Sequence, residues 1–244
     1  MHPDNIHIVL VGTTHPGNIG STARAMKTMG LRHLDLVQPA QWPDERAEAN
    51  AAQAKDVLAA AKVHDDLEAA LQQAGLVIGL TARPRRWGMP ALDPRDAAEL
   101  AALESRRHSV ALVFGRERSG LTNAELDRCH RLVHIPANPD YSSLNLACAV
   151  QIMAYELYRQ KGESAVAADQ AELATHEHLE GFYRHVEAMI ELVDFAPHQP
   201  REVLMRRLRR LFNRARPEAG ELDLLRGLFG DLERTIKRYQ NGTK

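Results

Sequence analysis

The run Ile6-His7-Ile8-Val9-Leu10-Val11-Gly12-Thr13-Thr14-His15-Pro16-Gly17-Asn18-Ile19-Gly20-Ser21-Thr22-Ala23-Arg24 decides the reading of the fold. Its opening, Ile6–Gly12, is mostly apolar and rich in β-branched residues, as a strand covered on both faces must be. A glycine-containing turn follows, and Ile19–Met29 then carries a helical pattern. A buried strand that runs straight into a helix is the opening of a parallel α/β sheet. Working outward, the alternation continues. His33–Val37, Leu76–Leu80, Ser109–Phe114 and Arg131–Ile135 read as strands. Arg46–Ala61, Asp66–Ala74, Pro94–Leu103, Thr122–His130 and the long Leu144–Arg159 read as helices. The expectation is an α/β domain over residues 1–161, a parallel sheet with helices on both faces.

Composition then shifts. Residues 162–174 are largely Ala, Glu, Ser and Asp without an apolar stripe, and read as a linker. Residues 175–244 carry three helical patterns, Glu177–Asp194, Arg201–Arg214 and Leu222–Tyr239, punctuated by Pro197, Pro200 and Pro217. The 244 residues have a formal net charge of −1, so the molecule as a whole is no basic nucleic-acid binder. The average hides a patch: Arg201–Arg216 holds seven arginines against one acid, Glu202, a local net charge of 7 − 1 = +6. Two cysteines, Cys129 and Cys148, give no disulfide framework and suit a reducing compartment. The apolar run Ile8–Val11 is too short for a signal peptide, and no stretch approaches the roughly 18 apolar residues of a membrane span. A soluble, cytoplasmic protein is expected.

In open parallel sheets, ligands bind beyond the carboxyl ends of the strands. Three loops therefore matter. After the first strand, Gly12-x4-Gly17 has the opening of a phosphate loop, but Asn18-Ile19 stand where Lys-Ser/Thr would be. Gly12, Gly17 and Gly20 also miss the dinucleotide spacing. After Ser109–Phe114 comes Gly115-Arg116-Glu117-Arg118-Ser119-Gly120-Leu121, either a ligand loop or a solvated charged turn. After the last strand, Pro136 and Pro139 hold an extended loop before Tyr141-Ser142-Ser143-Leu144-Asn145-Leu146. Ser142 or Ser143 can cap the closing helix. Asn145, a poor helix former near the start of an apolar helix, is either a buried hydrogen-bonding residue or a site residue. Metal readings fail on spacing: His176-Glu177-His178 is not H-E-x-x-H, and Cys129-His130 lacks partners. Cys148 is expected to be packed. The basic loop Arg83-Pro84-Arg85-Arg86-Trp87-Gly88 suits phosphate contact and base stacking, or a plain exposed loop.

Taken in order, Asn18-Ile19-Gly20-Ser21-Thr22-Ala23-Arg24, Phe114-Gly115-Arg116-Glu117-Arg118-Ser119-Gly120-Leu121, and Ile135-Pro136 with Ser142-Ser143-Leu144-Asn145-Leu146 resemble the three signature motifs of the SPOUT-class RNA methyltransferases. The N-x-G-x-x-x-R and S-x-N patterns are those of its 2′-O-ribose branch. With the arginine-rich helices, the chain resembles members that act on cytidine or uridine 32 of the tRNA anticodon loop. The resemblance implies a deep trefoil knot formed by the last strand and helix, an exception to the rule of unknotted chains. It implies a homodimer, S-adenosylmethionine held by Leu80, Thr81, Ala82, Gly115, Ile135, Ser142, Ser143 and Leu144, and no metal. Arg24 would be the catalytic residue, with Asn18 positioning substrate, Glu117 holding Arg24 or a cofactor N–H, and Ser142 and Asn145 shaping the reaction site. Arg83, Arg85, Arg86, Arg206, Arg207, Arg209, Arg210 and Arg214 would contact tRNA. Methylation of another tRNA position or of ribosomal RNA is the alternative. A non-catalytic RNA-binding module is a second, and the missing phosphate-loop lysine argues against a nucleotide hydrolase.

Overall fold

A computed structural model describes residues 1–82, 91–160 and 173–242. The chain divides into two compact units, Met1–Ala167 and Ala168–Lys244. The first unit runs β1 (Ile6–Val11), α1 (Pro16–Thr28), β2 (His33–Val37), α2 (Glu45–Ala51), α3 (Lys55–Ala59), β3 (Lys62–His64), α4 (Leu67–Leu71), β4 (Ala74–Leu80), α5 (Pro94–Glu104), β5 (Ser109–Phe114), α6 (Asn123–Leu126), β6 (Arg131–Val133) and α7 (Leu146–Arg159).

The six strands form one sheet in the order β3-β2-β1-β5-β4-β6, and every pairing is parallel. Alternation along β1 explains the two layers. Ile6, Ile8 and Leu10 point into a core with Ile19, Ala23 and Met26 of α1, Ala97 and Ala101 of α5, and Val150 and Met153 of α7. Val9 and Val11 point the other way, onto Leu67 and Leu71 of α4, Leu126 and Cys129. Both faces are thus covered, which is why the strands read as continuous apolar runs. Gly20 permits the closest helix contact. A Cβ there would lie 2.0 Å from the Ala47 carbonyl oxygen, so α1 and α2 meet backbone to backbone.

Several elements depart from expectation. The helix read over residues 46–61 is interrupted by a single 3₁₀ turn, Ala52–Ala54, where Ala52 takes φ +50. Strand β3 was not anticipated. It is three residues long, lies at the sheet edge and leaves Val63 exposed, so it carries no apolar run to read. The helix expected over 122–130 is only four residues long and opens with a Thr122/Glu125 capping box. Cys148 is exposed, not packed, because it lies on the outer face of α7. His130 belongs to the core, where its Nδ1 accepts from the Val77 amide at 2.9 Å.

The second unit consists of α8 (His176–Leu192), α9 (Arg201–Ala215) and α10 (Ala219–Gly242). Leu179, Phe182, Tyr183, Val186, Ile190, Met205 and Leu222 form its core. The Phe182 ring meets Phe212 edge-on, with centroids 4.6 Å apart. Glu180 is buried and is held by a forked Arg209 pair, with Nη2–Oε2 at 2.7 Å. The same guanidinium lies 4.4 Å from the Tyr183 ring centroid, and the Tyr183 hydroxyl donates to Asn213 Oδ1 at 2.8 Å. Arg209, expected to face tRNA, is therefore committed to the unit's interior. Arg207 and Arg214 are exposed, and Arg206 and Arg210 are half-buried. No described helix is long and apolar enough to cross a membrane.

Candidate active site

The strand order reverses between β1 and β5, and open parallel sheets bind ligands beyond strand ends near such a point. A pocket of about 240 Å³ lies beyond the ends of β4, β5 and β6. All eight positions expected to hold cofactor line it: Leu80, Thr81 and Ala82 after β4, Gly115 after β5, Ile135 after β6, and Ser142, Ser143 and Leu144 before α7. Phe114, Val133, Leu146 and Ala149 complete an apolar wall, and Arg116, Glu117, Arg118 and Ser119 bring charge and polarity to one side. The strand ends are tied together, since the Thr81 amide donates to the Val133 carbonyl at 2.9 Å and His134 Nδ1 meets the Thr81 carbonyl at 3.2 Å.

The β5 loop is a tight hairpin-like turn. Arg116 N donates to Gly120 O at 3.3 Å and Gly120 N returns to Arg116 O at 2.8 Å. Gly120 takes φ +68, a region open to glycine at little cost. Gly115 is required on packing grounds: a Cβ there would lie 2.2 Å from the Gly120 carbonyl carbon. Arg116 is fixed by a forked pair with Glu125, at 3.0 and 3.1 Å, while its side chain packs over Gly12.

Glu117 joins the three loops. Its Oε2 accepts from the Thr14 amide (3.1 Å) and hydroxyl (3.0 Å), and its Oε1 accepts from the His15 amide (3.2 Å) and Asn18 Nδ2 (3.0 Å). Asn18 Oδ1 accepts in turn from Asn145 Nδ2 at 3.0 Å. Burial alone would raise the Glu117 carboxyl, but the hydrogen bonds from Asn18 and the backbone amides outweigh it and hold the group down at about 2. The carboxylate therefore stays ionised and acts as an anchor rather than a proton carrier.

Three assignments need correcting. Glu117 binds Thr14, His15 and Asn18, not Arg24. The cap of α7 is Asn145, whose Oδ1 accepts from Ala147 N at 2.9 Å, and not Ser142 or Ser143. Asn145 is exposed, so its hydrogen bonds lie at the site's surface rather than in the core. Arg24 projects from α1, exposed, and makes no side-chain hydrogen bond or ion pair among the described residues. Arg83, Arg85 and Arg86 lie outside the described residues. The hub role of Glu117 was not legible in the motif alone, because its partners Thr14 and His15 are a hundred residues away. The pocket position of Arg118 was also missed; its only signal was a charge between two glycines.

Comparison with known proteins accounts for both units. The SpoU rRNA Methylase family model matches residues 5–155, and that of the tRNA methyltransferase TrmJ C-terminal domain matches residues 177–241. The tRNA (cytidine/uridine-2′-O-)-methyltransferase TrmJ of Yersinia pestis (strain Pestoides F) is 49% identical over 245 residues, covering 98% of this chain and 95% of the relative. The crystal structure of TrmJ from Z. mobilis ZM4 superposes with a TM-score of 0.83 at 33% identity, covering 93% of this chain and 98% of the other. A probable methylase family protein of Haemophilus influenzae Rd KW20 is 41% identical with a TM-score of 0.62, covering 99% of each chain. With one family model over the sheet, another over the terminal helices and relatives aligned along nearly the full length, the chain belongs to the SpoU methylase family, in its TrmJ branch.

Proposed function

We propose that this chain transfers a methyl group from S-adenosylmethionine to the ribose 2′-oxygen of cytidine or uridine in tRNA, at anticodon-loop position 32. The observation that carries this is the convergence of three loops. The pocket at the ends of β4, β5 and β6 is bordered by a hydrogen-bonded chain, Glu117–Asn18–Asn145, that begins the same helix from which Arg24 projects.

The residues present fit the cofactor. Leu80, Phe114, Val133 and Leu144 offer apolar faces to a purine ring, and Thr81, Ser142 and Ser143 offer hydroxyl and backbone groups. The Gly115 backbone forms a wall without a side chain. When bound, the cofactor supplies an electrophilic methyl carbon on a sulfonium.

The chain's own residues must then align and activate a ribose hydroxyl, which is a poor nucleophile. A guanidinium is not a practical base, so Arg24 orients the 2′-oxygen and offsets the charge that develops as its proton passes to solvent water. Asn18 is fixed at both ends of its amide, and it holds the start of α1, and with it the site of Arg24, against the pocket rim. Ser142 lines the same pocket. Alignment of this kind supplies a large part of the rate.

The exposed arginines of α9, Arg207 and Arg214, with half-buried Arg206 and Arg210, would contact tRNA phosphates from the second unit. Arg83, Arg85 and Arg86, outside the described residues, are proposed as separate tRNA contacts. Residues 1–161 would carry catalysis, 162–174 the connection and 175–244 docking. The trefoil knot and a homodimer in the cytoplasm belong to the same reading. Cys148, Tyr155 and Tyr158 give α7 an exposed, partly apolar face suited to a second copy.

The test is methyl transfer from labelled S-adenosylmethionine to bulk tRNA, with nucleoside mass spectrometry. The wild type should yield 2′-O-methylcytidine or 2′-O-methyluridine, and Arg24→Ala should not. A methylated base would overturn the ribose assignment, and no transfer to any RNA would favour a binding module.

A further inference from the structure

The β5 turn places three charged residues in succession beside the pocket, and their environments differ. Arg116 is neutralised by the forked Glu125 carboxylate. Glu117 is saturated by Thr14, His15 and Asn18. Arg118, between Glu117 and Ser119 at the tip, lines the same pocket, is exposed, and makes no hydrogen bond or ion pair among the described residues. Its backbone is not loose. The Arg116–Gly120 bridge closes the turn, and the neighbours on its N-terminal side are locked by side-chain bonds. Arg118 is therefore a cation on a rigid mount at the pocket mouth, with its five donors uncommitted.

Resting on the function proposed above, we infer that Arg118 binds a backbone phosphate of the RNA next to the target nucleotide and so holds the ribose over the pocket. A fork of N–H donors matches phosphate oxygens, and its planarity fixes direction as well as distance. The exposed tip favours RNA over the cofactor's own carboxylate, because a ligand seated deep against Phe114 and Val133 leaves the rim to the second substrate. The contact is made to phosphate, so it positions the strand without reading the base. Arg24 then has the separate task of meeting the 2′-oxygen.

The experiment compares wild type, Arg118→Ala, Arg118→Lys and Arg118→Glu by three measurements. These are filter binding of an unmodified tRNA transcript over a series of salt concentrations without cofactor, calorimetric binding of S-adenosylmethionine, and steady-state methylation. Arg118→Ala should weaken tRNA binding about tenfold and lower the salt slope by about one phosphate. It should raise KM for tRNA while S-adenosylmethionine affinity and the thermal midpoint stay at wild type. Arg118→Lys should keep most of the binding, and Arg118→Glu should lose more than Arg118→Ala. Weaker cofactor binding with unchanged tRNA binding would overturn the inference in favour of a carboxylate clamp. Equal tRNA affinity in all four proteins, or equal losses in Arg118→Ala and Arg118→Glu, would also overturn it. Failure of the function itself reads separately, as wild type that binds tRNA but transfers no methyl group.

Discussion

Replacing Glu117 by Gln keeps the shape of the hub and removes its charge. The wild-type carboxylate accepts four hydrogen bonds and can do so because it has acceptors alone. A glutamine amide can keep its oxygen toward His15 and Asn18 only by turning its NH2 toward the Thr14 amide, donor against donor. The reverse orientation asks Asn18 to flip, which breaks its bond with Asn145. The depression of the carboxyl from 4.5 to about 2 corresponds to ~3 kcal/mol before screening. The group is partly solvated, so about half, ~1.5 kcal/mol, is the realistic loss. For a unit of this size that lowers the melting midpoint by ~3–6 °C. The sign is fixed by linkage. A carboxyl with a depressed pKa contributes stability above its unfolded value, here 4.5, and loses it as pH falls toward about 2. The gap between wild type and Glu117→Gln should thus be full at pH 7 and narrow progressively below pH 4.5. Activity should fall further than stability, by ~10–100-fold in kcat/KM, because Asn18 and the start of α1 lose their anchor. Thermal melts across pH and initial rates on tRNA test both. An unchanged midpoint at pH 7 with kcat/KM within about twofold of wild type would refute the hub.

Other substitutions probe the frame. Gly20→Ala gains ~1 kcal/mol of helix propensity, but its Cβ would sit 2.0 Å from the Ala47 carbonyl; overpacking at ~1–3 kcal/mol wins, so a denaturant midpoint equal to or above wild type contradicts the backbone contact. Asp35 is buried, which raises its carboxyl, yet bonds from His7 (2.8 Å) and His64 (2.7 Å) bring it below its ordinary 3.8. Its contribution is complete above pH 3.8 and is lost as pH falls through the lowered value, so Asp35→Asn should flatten the acid limb of the stability curve. Arg209→Ala leaves buried Glu180 without its forked partner and should cost ~3 kcal/mol, whereas Arg207→Ala should leave the melt unchanged and weaken tRNA binding; the opposite pattern would reverse the inward and outward assignments.

Strands β1, β4 and β5 were legible because both their faces are covered, which leaves a short continuous apolar run. Strand β3 was not, because an edge strand of three residues has neither length nor a dry face. The break at Ala52 was hidden for a similar reason: alanine is the best helix former, and nothing in Ala51-Ala52-Gln53-Ala54 marks a stop. Strand ends pointed to the loops that follow the first strand, Ser109–Phe114 and Arg131–Ile135; the eight positions that line the pocket, Leu80, Thr81 and Ala82 among them, came from the family resemblance. The inward turn of Arg209 was not, because an arginine-rich helix looks uniform until Glu180, on a different helix, selects one member. Cys148 reads as core by chemistry alone and is exposed by its place on α7.

The network at the site shows why the three motifs have to occur together. Asn18, Glu117 and Asn145 lie at the starts of α1 and α7 and in the β5 turn, roughly a hundred residues from Asn18 to Glu117 and more from Asn18 to Asn145. Asn145 divides its amide between its own helix and the next motif, and Asn18 gives the two ends of its amide to the other two motifs. Asn145 gives its oxygen to the α7 cap and its NH2 to Asn18, and Asn18 passes the link to Glu117. Losing Asn18 leaves both Glu117 and Asn145 short of a partner, and losing either of those leaves one end of the Asn18 amide unmatched, so single losses should resemble double losses at this site. The double mutant Asn18→Ala/Asn145→Ala should accordingly be much less damaged than the sum of its singles, by more than about 0.5 kcal/mol in coupling. Strict additivity in a double-mutant cycle, read by melting and by kcat/KM, would mean that the three loops meet without depending on one another.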